Sequence, residues 1–249
     1  MLKPVVKRTL TLAALALSSL ALGQAVNGAD LNVNSGGKMY KSYLAAPTGG
    51  EAKKPAVILL HSFNGMEQGY KDLVDEMAGA GYVTLALGWQ TFEKQPSDAT
   101  VKALVEDGLR LLALRPDVNT NAVGLTGFCA GGRYTMLLLP QIKQFKSGVA
   151  WYGFPDSGGT ATQPKPPTDF INDLTAPLLI LHGTKDQPSP IASIYSYAQK
   201  LDAANKNFKL TVYQGAPHGF LLGDGKIANT YDSRDARREM LNYFGDTLK

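Results

Sequence analysis

Three side chains have the types and the order along the chain that covalent acyl transfer requires: Cys129, Asp186 and His218. A thiol attacks as its thiolate, an imidazole can take that proton and later return it, and a carboxylate can hold the imidazole in one tautomer. Cys129 is the only cysteine and stands in Gly127-Phe128-Cys129-Ala130-Gly131-Gly132, directly behind the apolar run Ala122-Val123-Gly124-Leu125-Thr126. A strand-length run, a glycine-bracketed turn and helix-compatible residues 133–139 read as strand, tight turn and helix, the setting of a nucleophile elbow. A Cβ two places before or after Cys129 would meet neighbouring backbone, so both glycines have a steric task. The unpaired N–H groups and the dipole of the helix start favour a thiolate there.

Asp186 closes His182-Gly183-Thr184-Lys185-Asp186 behind the apolar residues 178–181, and His218 lies in Gln214-Gly215-Ala216-Pro217-His218-Gly219-Phe220 behind residues 210–213. The order nucleophile, acid, base is the one an elbow of this kind uses. Asp224 is the alternative acid. The other two histidines, His61 and His182, have no partner in this scheme and are expected to bond loop backbone. Acyl transfer also needs donors for the oxyanion; the N–H of Ala130, next after the nucleophile, and that of Phe63, in the loop after residues 56–61, are the candidates.

These residues need a frame that brings three distant loops together. Residues 56–61 and 82–87 are continuous apolar runs of strand length, as are 122–126, 149–152, 177–182 and 208–213. Helical spacing separates them over 69–80, 100–114, 191–204 and 232–247, and residues 38–45 alternate like an outer strand. Repeated strand and helix predict an α/β fold, a mostly parallel sheet with helices on both faces and the functional loops at the carboxyl ends of its strands. Residues 155–169, rich in Gly, Pro and Thr, read as a plain surface loop or a lid.

With 249 residues, 44% hydrophobic and 18% charged, the chain can bury a core without metal or disulfide. Lys3, Lys7 and Arg8 precede an apolar stretch over 10–22 and then small residues, the pattern of a secretory signal peptide over residues 1–25. A single domain over 26–249, located in the periplasm or secreted, follows, with no stable membrane span after leader removal. Without the leader 22 basic residues face 21 acidic ones, a net charge of +1, which removes the support for a nucleic-acid partner. In an oxidising compartment one cysteine can form no internal bridge.

The elbow, Trp151-Tyr152-Gly153, the loop ending at Asp186, the segment from Gly215 to Phe220 and Tyr231-Asp232 together resemble the dienelactone hydrolase family of α/β-hydrolases. The resemblance runs from about residue 56 to the end. It implies hydrolysis of a small-molecule ester or lactone through a cysteine acyl-enzyme, with neither metal nor cofactor. Two positions depart from it: Ser62 stands where the dienelactone-opening enzymes carry a glutamate, and Leu222 where they carry an arginine that binds the substrate carboxylate. No arginine occurs between Arg8 and Arg110. Ser62, Trp151 and Leu222 are the expected substrate-binding residues, the expected substrate is neutral, the resting thiol is expected to face His218 within hydrogen-bond reach, and the protein is expected to be a monomer. A peptidase or thioesterase, or a non-catalytic binding protein on the same scaffold, are the alternative readings.

Overall fold

The computed structural model describes residues 26–249; the leader expected over residues 1–25 lies outside them. The strands are β1 (Val26–Ser35), β2 (Lys38–Pro47), β3 (Lys54–Leu60), β4 (Val83–Leu87), β5 (Val118–Phe128), β6 (Phe145–Trp151), β7 (Leu178–Lys185) and β8 (Phe208–Pro217). They form one sheet in the order β1-β2-β4-β3-β5-β6-β7-β8. β1, β2 and β4 pair antiparallel, and every pair from β4 across to β8 is parallel. The helices are α1 (Gln68–Gly79), α2 (Asp98–Ala113), α3 (Ala130–Leu138), α4 (Ile191–Ala203) and α5 (Tyr231–Thr247). A two-stranded piece, β9 (Leu222–Gly223) with β10 (Lys226–Ile227), lies beyond β8.

Alternation along the central strands assigns side chains to two cores. On β3, Ala56, Ile58 and Leu60 join Val101 and Leu104 of α2, Met136 of α3 and Ile194 of α4 on one face. Val57 and Leu59 join Leu73 and Met77 of α1 and Met240 and Phe244 of α5 on the other. A strand whose successive residues point to opposite faces is buried on both only when helices cover both, which is why these runs are apolar throughout.

In the N-terminal hairpin β2 is the strand expected over residues 38–45, but β1 is an addition and takes the outer place expected for β2. Ser35 pairs with Lys38 across Gly36-Gly37, both at positive φ (55° and 75°). That is the two-residue connection whose backbone twist suits a hairpin and which glycine adopts without strain. Residues 155–169 are also better ordered than their composition indicates. Buried Arg133 donates from Nε to the Ser157 carbonyl at 3.0 Å and holds Asp98 through two bonds of 2.7 and 3.0 Å, while Asp98 N–H donates to the Thr162 carbonyl at 2.9 Å. The segment then enters a 3-10 helix over Pro167–Asp173. Among the described residues no helix is long and apolar enough to cross a membrane.

Candidate active site

Cys129 occupies the turn between β5 and α3 with φ 58° and ψ −114°, a backbone state that non-glycine residues adopt only when the surroundings enforce it. The enforcement is steric. A Cβ on Gly127 would overlap the Gly131 carbonyl, and one on Gly131 would overlap the Leu60 carbonyl of β3. The elbow is therefore pressed against its own helix and the neighbouring strand, with Cys129 N–H bonded to the Trp151 carbonyl at 3.0 Å. Cys129 ends partly buried on the sheet's carboxyl edge.

Asp186 and His218 arrive at that edge from β7 and from the loop after β8. His218 Nδ1 donates to Asp186 Oδ2 at 2.8 Å, and Asp186 Oδ1 accepts the Ser189 N–H at 2.8 Å. Ser189 is itself held, its hydroxyl donating to the Gly153 carbonyl at 2.7 Å and its carbonyl accepting His182 Nε2–H at 2.8 Å. Asp224, the alternative acid, lines the cavity beside Cys129 but makes no bond to His218 among the described residues.

The three histidines differ in charge. Burial holds His61 down to about 4 and lowers His182, whose Asp186 neighbour only partly compensates. Burial would also lower His218, but the Asp186 hydrogen bond and the adjacent Cys129 outweigh it and raise the imidazole to about 9. His218 is thus the histidine that carries a proton at neutral pH. Its Nε2 is buried and makes no hydrogen bond among the described residues. Cys129 is close enough to raise the imidazole, so the thiol faces the base as expected, while the contact does not meet hydrogen-bond geometry among the described residues.

The other two histidines serve the loops, as expected. His61 Nδ1 donates to the Ser62 carbonyl at 2.7 Å and its ring stacks on Trp89, whose Nε1 donates to the His61 carbonyl at 3.1 Å. Gln90 Nε2 donates to the Phe63 carbonyl at 3.1 Å. The loop carrying Phe63 is pinned from three sides. Its N–H and that of Ala130, first residue of α3, bond no acceptor among the described residues, which leaves both free for an oxyanion.

Cys129 and His218 lie between two cavities. One, about 430 Å³, is lined by Ser62, Glu67, Tyr70, Tyr152, Leu222 and Asp224; the other, about 500 Å³, by Trp89, Lys94, Tyr134, Phe154 and Gln163. Phe63 lines both. Ser62 and Leu222 therefore stand where substrate would sit. Trp151 does not: it is fully buried under the elbow, 5.0 Å from the Phe128 ring, because as the last residue of β6 it continues that strand's alternation into the core. The next residue, Tyr152, turns into the cavity at φ 35°.

Sequence reasoning missed Glu67, Tyr70, Tyr152 and Phe154. Glu67 precedes α1 and receives the Ser62 hydroxyl at 3.4 Å, so a carboxylate absent at position 62 is supplied five residues later. The rings of Tyr152 and Phe154 flank His218 at 5.1 and 5.4 Å. Tyr152 stood next to the chosen Trp151, and only the end of strand alternation distinguishes them. Among the described residues no three His, Cys, Asp or Glu side chains gather as a metal ion would require.

The sequence model of the dienelactone hydrolase family matches residues 40–248. A Salmonella typhimurium protein provisionally named carboxymethylenebutenolidase is 28% identical over 236 residues, covering 88% of this chain and 87% of its own. A Bradyrhizobium protein provisionally named 2-oxo-3-(5-oxofuran-2-ylidene)propanoate lactonase is 27% identical over 208 residues, covering 76% and 82%. A Klebsiella pneumoniae crystal structure, provisionally assigned as a dienelactone hydrolase, superposes with a TM-score of 0.83 at 27% identity over 89% of this chain and 99% of that one.

Proposed function

Since this chain belongs to the dienelactone hydrolase family and is an ester or lactone hydrolase, we propose that it works through Cys129, His218 and Asp186 by way of an acyl-enzyme. The observation that carries this reading is the 2.8 Å bond from His218 to Asp186 beside the only thiol, on an elbow whose glycines cannot accept a side chain. The thiolate of Cys129 attacks the carbonyl carbon, and the oxyanion is received by the N–H groups of Phe63 and Ala130. The carbon–oxygen bond to the leaving alkoxide breaks as His218 gives it a proton. His218 then takes a proton from water, the hydroxide attacks the thioester, and the acid leaves as Cys129 is restored.

A neutral substrate fits this site. The cavity on the Glu67 side holds two carboxylates and, among the described residues, no lysine or arginine. A substrate carboxylate there would face Glu67 and Asp224, and the one cation in reach among the described residues, the His218 imidazolium, is already bonded to Asp186. The protein is further proposed to be exported, on the strength of the basic and apolar pattern of residues 1–25.

The test uses p-nitrophenyl acetate. Cys129→Ala and His218→Ala are expected to lose turnover, and Asp186→Asn to retain a remainder about 10³–10⁴-fold below wild type. An acetyl adduct on Cys129, trapped by acid quench and located by peptide mass, identifies the acyl-enzyme. Full activity in Cys129→Ala would overturn the assignment.

A further inference from the structure

Tyr152, which lines the cavity on the Glu67 side of Cys129, carries a polar group near Tyr70, Cys129 and Glu67 that the triad leaves unused. The Tyr152 hydroxyl is fully buried and makes no hydrogen bond among the described residues. The Leu221 main chain bears on its oxygen without meeting hydrogen-bond geometry, and the O–H proton has no acceptor. Burial, with Tyr70, Cys129 and Glu67 nearby, keeps this phenol protonated, so it is a donor at every working pH. Buried polar groups in native proteins are nearly always paired, and exceptions in a cavity mark the place of a missing partner. Tyr152 is also one of four non-glycine residues at positive φ among the described residues, a strain that persists where the surroundings need a side chain in one place.

The same cavity holds an acceptor with capacity to spare. Among the described residues Glu67 caps no helix N–H with its side chain and receives only the Ser62 hydroxyl, at 3.4 Å. A ligand group placed here must accept from Tyr152 and donate to Glu67. A carboxylate could accept but would face Glu67 and Asp224. An ammonium could donate but has no lone pair for Tyr152. An alcohol does both with one atom.

Resting on the ester or lactone reading above, we infer that this cavity is a subsite for a hydroxyl group of the substrate, bound between Tyr152 and Glu67, so that the preferred substrates are neutral esters or lactones of hydroxylated acids. A site built around a substrate hydroxyl discriminates strongly against the analogue that lacks it, because its own polar groups are then left unpaired.

The experiment compares kcat/KM for glucono-1,5-lactone and δ-valerolactone, and for α-hydroxy-γ-butyrolactone and γ-butyrolactone. Wild type is expected to favour the hydroxylated member of at least one pair by about tenfold or more. Tyr152→Phe and Glu67→Ala are each expected to reduce that ratio severalfold, whatever their effect on the absolute rates. Circular dichroism establishes that each variant is folded, and Glu67→Ala carries the test should Tyr152→Phe fail to fold. Equal treatment of both pairs by wild type, or an unchanged ratio in a folded variant, would overturn the proposal. Cysteine-dependent hydrolysis of p-nitrophenyl acetate in the same preparation separates that result from failure of the hydrolase reading itself.

Discussion

At the scale of single residues, the decisive quantity is the charge on His218. Burial opposes the imidazolium, yet Asp186 and Cys129 together outweigh it and raise its pKa to about 9, so both partners favour the protonated ring. In the proposed chemistry that ring must hold a proton when the alkoxide leaves. We therefore expect kcat/KM for a neutral ester to fall as pH rises through about 9. Asp186→Asn removes one of the two supports, so its alkaline limb should move to lower pH; an unmoved limb would show that another group titrates. Stability follows the same sign. A folded-state pKa raised above the unfolded value of about 6.5 gives a contribution that is fully present below that value and is lost as pH climbs through 9. Urea titrations of wild type and His218→Ala, with Cys129 unchanged, should differ most near pH 6 and converge above pH 9.5 or so.

At the scale of elements, the elbow depends on glycine for close approach and α5 does not. Gly131→Ala puts a methyl group into the Leu60 carbonyl, backbone against backbone, so the strand and helix must separate. Gly245→Ala, on the exposed side of α5, adds a methyl group that meets nothing nearer than the Tyr82 hydroxyl at 3.7 Å. Opposite signs are expected: Gly131→Ala destabilises by more than about 2 kcal/mol, and Gly245→Ala stabilises by about 0.5–1 kcal/mol. Thermal melts of the two variants decide this, and a stabilised Gly131→Ala would refute the packing account. The glycine spacing around Cys129 and the apolar runs of β3 to β8 were legible in the sequence because each states a local requirement, a turn without Cβ or a strand covered on both faces. The β1 strand was not, since residues 26–35 are largely polar and most of their side chains are exposed. Only Gly36-Gly37 marked the hairpin. Trp151 was misplaced for a related reason, because alternation locates a side chain within a strand but not the first residue beyond its end. Glu67 and Arg133 were illegible because their partners, Ser62 in a loop and Asp98 at the start of α2, are brought to them by the tertiary fold.

For the whole molecule, stability and reactivity are assigned to different atoms. Two cores on either face of an eight-stranded sheet hold the fold, and the lone thiol contributes nothing to either as a cross-link. Under the proposed export, this protein would meet oxidants with its nucleophile reachable from two cavities and no second cysteine to shield it by internal disulfide exchange. Peroxide should carry Cys129 to the sulfenic acid, which a thiol can reduce, and at higher exposure to the sulfinic acid, which it cannot. Activity on p-nitrophenyl acetate is therefore expected to vanish under mild peroxide and to return with dithiothreitol, while Tm stays within about 2 °C throughout, since a small change at a partly exposed side chain alters little buried area. Melts with and without dithiothreitol should likewise coincide, because no disulfide exists to be reduced. A large fall in Tm on mild oxidation would mean that the thiol is a packing residue of the core, and that site and scaffold are not separate.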